Sequence, residues 1–140
     1  MKQPKIPLSR PYLDARDERR VLAVLRSGQL SMGAEQRAFE DRAAKRIGTR
    51  YAAAVSSGTA GLHLSVRGLG LGSGDEVITT PFSFIASSNC LLYENVTPVF
   101  VDVDDATLTI AVEQIERRIT KRTKAILPVH VFGQMADMKG

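Results

Sequence analysis

Apolar positions along the first 50 residues recur at helical spacing. Asp14 can cap a helix running through about Ser27, with Val21, Leu22 and Leu25 on one face and Gly28 as its stop. A loop, Gln29-Leu30-Ser31-Met32-Gly33, follows. A second helix is expected from about Ala34 to Ile47, burying Phe39, Ala43 and Ile47, and Gly48 ends it.

From residue 51 the pattern changes to short apolar runs alternating with helical segments. Tyr51 to Val55 reads as a strand and feeds a helix over 59–69. Gly70, Gly72 and Gly74 break the chain. Glu76 to Thr79 reads as a strand closed by Pro81, and a helix is expected from about Ser83 to Tyr93. Pro98 to Val101 reads as a strand, Asp102 to Asp105 as a turn. Val112 to Ile119 reads as a helix carrying Ile115 and Ile119 inward, and Lys124 to Val129 as a strand. This alternation predicts a largely parallel sheet with helices on its faces. The runs Val99-Phe100-Val101 and Ala125-Ile126-Leu127 suit strands buried on both sides.

Ligands of such sheets collect at the carboxyl ends of strands. Ser56-Ser57-Gly58-Thr59, Phe82 to Phe84, Asp102 to Asp104 and His130 all fall there. The first run is the most informative. Hydroxyls, a glycine and a new helix N-terminus meet after an apolar segment. The first amides of a helix lack internal partners and carry partial positive charge, which suits a phosphate. Read alone, the run is equally an N-cap by Ser57 or Thr59.

Composition narrows the class. The chain has 140 residues, 44% hydrophobic and 24% charged, as in one globular domain. No apolar run approaches the roughly 20 residues that span a bilayer. The start, Met1 to Pro7, lacks the apolar core of a secretory leader, so a cytoplasmic place and no membrane partner are expected. Cys90 is the only cysteine, which leaves no internal disulfide and suggests a small buried apolar side chain. The net charge of +4 is uneven: residues 1–50 hold 12 Lys/Arg against 6 Asp/Glu. Those charges interleave without an aromatic ladder, so a solvated helix face is expected rather than a nucleic-acid surface.

Four blocks then stand in order. They are Ser56-Ser57-Gly58-Thr59-Ala60; Gly74-Asp75-Glu76-Val77-Ile78 with Pro81-Phe82-Ser83-Phe84; Pro98 to Asp104; and Thr123 to Ile126 with Pro128-Val129-His130-Val131-Phe132-Gly133-Gln134. Together they resemble the DegT/DnrJ/EryC1/StrS family of pyridoxal-phosphate aminotransferases acting on keto-sugar nucleotides. The segment from Ser27-Gly28 through Gly33 also resembles that family's N-terminal loop, and the likeness runs from about Pro7 to Asp137.

The resemblance implies an α/β fold, the N-terminal part of the type I aminotransferase large domain. Residues 1–50 would be its helical segment and residues 51–140 a partial coenzyme-binding part, with the small C-terminal domain absent. It implies a homodimer, pyridoxal 5'-phosphate as cofactor, an amino-acid donor such as glutamate, and a nucleotide-linked keto sugar as substrate. Carried over by position, Gly58 and Thr59 would hold the coenzyme phosphate with help from Ser57, and Phe84 would stack on its ring. Ser31 would contact substrate or the partner subunit. The Schiff-base lysine and the carboxylate facing the ring nitrogen are expected beyond residue 140, because Lys121, Lys124 and Lys139 lack the family's context. No catalytic residue is therefore assigned within the chain.

Three other readings stay open. One is a non-catalytic binding protein on the same scaffold. Another is a sugar dehydratase relative, and the third a glycosyltransferase using Asp102-Val103-Asp104 to hold a divalent ion. For that acidic run a strand-end turn is the expected alternative. His63 is expected to be structural, and His130 either structural or close to cofactor or partner; neither has metal-ligand spacing.

Overall fold

The computed structural model describes residues 6, 7 and 9–140. The leader-free reading of Met1 to Pro7 falls largely outside them. The chain divides into two compact units, Met1–Ala54 and Val55–Gly140.

The first unit holds α1 (Ala15–Ser27) and α2 (Ala34–Ile47). Asp14 caps α1 as the pattern predicted. Its carboxylate accepts from the amides of Arg16 and Asp17, while the Asp17 carboxylate accepts from the Asp14 amide. Gly28 and Gly48 close the helices in the left-handed conformation, at φ 70° and 85°. The burial expected of these helices is not found. Val21, Leu22, Leu25, Phe39 and Ile47 are exposed, Ala43 is half-buried, and only Ala44 is buried. The period of 3.6 places apolar residues on one face, but no described element of this unit lies over that face.

Residues 51–55 are irregular rather than a strand. A strand exists through its ladder, and this segment has none; the Ala54 amide donates instead to the Glu40 carboxylate at 2.8 Å.

The second unit is a three-stranded parallel sheet, ordered β2 (Thr97–Phe100), β1 (Glu76–Thr79), β3 (Thr123–Leu127). Helix α3 (Gly58–Gly68) packs on α4 (Ala86–Leu92). Successive residues of β1 point to opposite faces. Val77 joins Val66, Cys90, Leu91 and Val96 beneath α3 and α4; Ile78 joins Val101, Ile110, Ala111 and Ala136 on the other side. Only β1 is buried throughout. Contrary to the doubly buried reading, β2 and β3 are sheet edges with half-exposed residues, Phe100 and Ile126 among them. The buried Glu76 carboxylate, held by the Thr120 hydroxyl and Arg122 guanidinium, anchors the amino end of β1.

Two helices differ from expectation. Helix α4 starts at Ala86 rather than Ser83, because residues 81–85 after Pro81 run as successive turns. The expected helix over Val112–Ile119 is two 3-10 turns, Val112–Gln114 and Glu116–Arg118. Eight residues with three β-branched side chains and no side-chain cap hold a regular helix poorly. Ile115 still packs inward, but Ile119 is exposed.

Candidate functional site

Ser57 stands at the N-cap of α3 with extended backbone, and its hydroxyl oxygen accepts from the Ala60 amide at 3.1 Å. The Gly61 amide donates to the Ser57 carbonyl. Among the described residues the amides of Gly58 and Thr59 have no acceptor. Two free donors, the Thr59 hydroxyl and the positive end of an 11-residue helix therefore converge. Ser57 and Gly58 are exposed and Thr59 half-buried, and a Cβ at Gly58 would meet nothing within 4 Å. The end is open to an anion.

At the carboxyl end of β1 lies a cleft of about 130 Å³ lined by Thr80, Ser83, Phe84, Ser87, Ser88 and Phe100, among others. Parallel pairing places the ends of β1, β2 and β3 along one edge, where the Thr79 hydroxyl donates to the Leu127 carbonyl at 2.9 Å. The Phe84 ring is 77% exposed and borders this cleft, so it is a surface shelf rather than a core aromatic. Ser57, Gly58 and Thr59 do not line the cleft; they open α3, which packs on the helix following Phe84. The hydroxyl lining was not singled out in the sequence, although Ser83 and Ser87 stand four residues apart at a helix start. Phe82 meets Phe132 edge to face, with centroids 6.4 Å apart, at the same edge.

Other singled-out residues fall elsewhere. Ser31 is an exposed bend between Gly28 and Gly33 and does not line the neighbouring cleft formed by Val24, Ser27, Leu30, Met32 and Gln36. Asp104 accepts from the amides of Ala106 and Thr107 and from the Thr107 hydroxyl, which hold its carboxyl below the ordinary range. The acidic run is thus a side-chain-bonded turn, and among the described residues no cluster of His, Cys, Asp or Glu can hold a metal. His130 Nδ1 accepts from the Ala136 amide, and His63 lies 2.6 Å from the Glu94 carboxylate. Cys90 is buried in the core, where desolvation pushes its thiol up. No helix among the described residues is long and apolar enough to cross a membrane.

A family model, the DegT/DnrJ/EryC1/StrS aminotransferase family, matches residues 11–140. The chain belongs to this family.

The spore coat polysaccharide biosynthesis protein SpsC of Bacillus subtilis is 41% identical over 133 residues, covering 95% of this chain and 34% of that protein. A putative sugar aminotransferase from Streptococcus pneumoniae, Spr1654 in its PMP form, superposes with a TM-score of 0.90 at 33% identity, over 95% of this chain and 33% of its own. A GDP-4-keto-6-deoxymannose-3-dehydratase superposes with a TM-score of 0.85 at 32% identity, over 90% of this chain and 34% of its own. The chain spans about a third of the length of the curated relatives it matches. The fold is that of pyridoxal-phosphate-dependent aminotransferases. Family membership makes the open α3 terminus and the Phe84 cleft the two places in the second unit whose chemistry fits parts of that coenzyme, a phosphate and a flat ring.

Proposed function

We propose that this chain supplies the phosphate- and ring-binding part of a pyridoxal-phosphate-dependent aminotransferase that moves an amino group from an amino acid such as glutamate to a nucleotide-linked keto sugar. The observation that carries it is the α3 terminus, where the Gly58 and Thr59 amides lack acceptors beside a free threonine hydroxyl. Those groups bind the phosphate. Ser57 spends its lone pair on Ala60 and contributes through its O–H. Phe84 offers a face to the cationic ring, a favourable electrostatic contact. The bound coenzyme supplies an electron sink for the amino-transfer chemistry.

The chain's own lysines sit apart from the cleft. Lys124 reaches the Lys121 carbonyl at 3.4 Å, and both are exposed, as is Lys139. We therefore place the covalent lysine outside residues 1–140, with Ser31 as a substrate or partner contact, a homodimer as the working form and the cytoplasm as its place. The similarity to a sugar 3-dehydratase supports a second reading, in which the same coenzyme site serves dehydration of a nucleotide sugar.

Equilibrium dialysis of pyridoxal phosphate with inorganic phosphate as competitor tests the site. Thr59→Val is expected to weaken binding by about tenfold, the scale of one hydrogen bond to a charged group. Borohydride treatment is expected to leave no stoichiometric lysine adduct. Affinity indifferent to Thr59→Val and to phosphate overturns the reading, and an adduct mapped to a single lysine overturns the placement of the covalent residue.

A further inference from the structure

The Phe84 ring is 77% exposed, so packing does little to fix its direction. Its orientation depends on the backbone of residues 80–85, a stretch with no regular structure between the end of β1 and the start of α4. Ile85, at the N-cap of α4, offers no side-chain cap. The bracing comes from two serines. Ser87, 8% exposed in the first turn of α4, donates its amide to the Phe84 carbonyl at 3.0 Å. Its hydroxyl lies 2.7 Å from that of Ser83, whose own amide donates to the Pro81 carbonyl at 3.0 Å. The residues on either side of Phe84 are thus tied to each other across it, and one of them is anchored in a helix.

We infer that the Ser83–Ser87 hydroxyl pair positions Phe84, holding its ring as a preformed shelf over the cleft. This rests on the coenzyme reading above. A shelf fixed before binding spares the ligand the cost of ordering it. Neither serine needs to touch the ligand, so their effect is transmitted through residue 84.

Two measurements on the chain test this. The first needs no coenzyme: NMR of ¹³C-phenylalanine reads the order of the Phe84 ring and the shift of its amide. Ser87→Ala is expected to lower the ring's order and move the amide toward its random-coil shift, while the signals of Phe39, in the first unit, stay in place. The second is the pyridoxal phosphate dissociation constant, expected to rise about two- to tenfold, the scale of one hydrogen bond. Ser83→Ala, at a half-buried position, removes the same bond from the other side and should reproduce both effects, and the double variant should be no worse than either single one. Circular dichroism confirms that each variant is folded. Unchanged Phe84 signals in Ser87→Ala, or single effects that simply add, overturn the inference. If the Phe84 signals respond as expected but no variant, nor the unaltered chain, binds pyridoxal phosphate, the positioning stands and the coenzyme reading falls.

Discussion

Glu94 receives two cationic neighbours from one helix. His63 Nε2 lies 2.6 Å from its Oε1, and the Arg67 guanidinium 3.3 Å from the same oxygen, with the Tyr93 ring edge-on to the imidazole. The His63 hydrogen bond, then Arg67, holds the Glu94 carboxyl below the ordinary carboxylate range. A depressed carboxyl stabilises the fold above its unfolded pKa, and that contribution fades as pH falls through the folded value. Glu94→Gln is therefore expected to flatten the acid limb of a melting profile taken below about pH 5, leaving the limb set by Asp104 and Glu40, which are depressed by their own hydrogen bonds. An acid limb identical in the variant would remove this cluster from the account. The arrangement was beyond the sequence: Glu94 is 31 residues from His63, and no local pattern joins them. The N-cap of α3 was within reach, because Ser57 and Ala60 are three residues apart, the spacing of a cap.

At the scale of elements, punctuation was legible and pairing was not. Asp14, Gly28 and Gly48 mark helix ends through local chemistry, and Glu76–Thr79 appears as the sequence predicts because its apolar run is short and bounded. The segment 51–55 fails as a strand since strand formation is decided by a partner elsewhere in the chain. The same holds for β2 and β3, whose apolar residues could not announce that their outer sides would be edges. Burial of β1 makes it the element on which the second unit depends. Ile78 is fully buried with Val101, Ile110, Ala111 and Ala136 around it. Ile78→Ala is expected to cost about 2–5 kcal/mol by denaturant titration. Ile126→Ala on edge strand β3, where the side chain is 46% exposed, should cost clearly less. Equal losses would contradict the central-strand account.

The molecule as a whole leaves an unusual amount of apolar surface in water. Its accessible area is 11400 Å². Two separately folded compact units of these sizes would expose only about 8,600 Å² by the usual scaling of area with mass. The excess has identifiable sources: Val21, Leu22 and Leu25 along α1, Phe39 and Ile47 on α2, and Phe84, Ile126 and Phe132 in the second unit. To these are added the unpaired backbone groups on the outer sides of β2 and β3. Relatives three times as long carry further chain with which such faces can pack. Water is a poor partner for both kinds of surface, so another protein surface is the favourable one. The 140-residue chain is therefore expected to self-associate as its concentration rises, with light scattering increasing and the melting transition broadening. Charged substitutions on the α1 face, Leu22→Lys with Leu25→Glu, should reduce association without lowering the transition, because neither side chain is buried within its unit. A monodisperse monomer that melts in one sharp calorimetric transition would show instead that these faces are covered within a single chain.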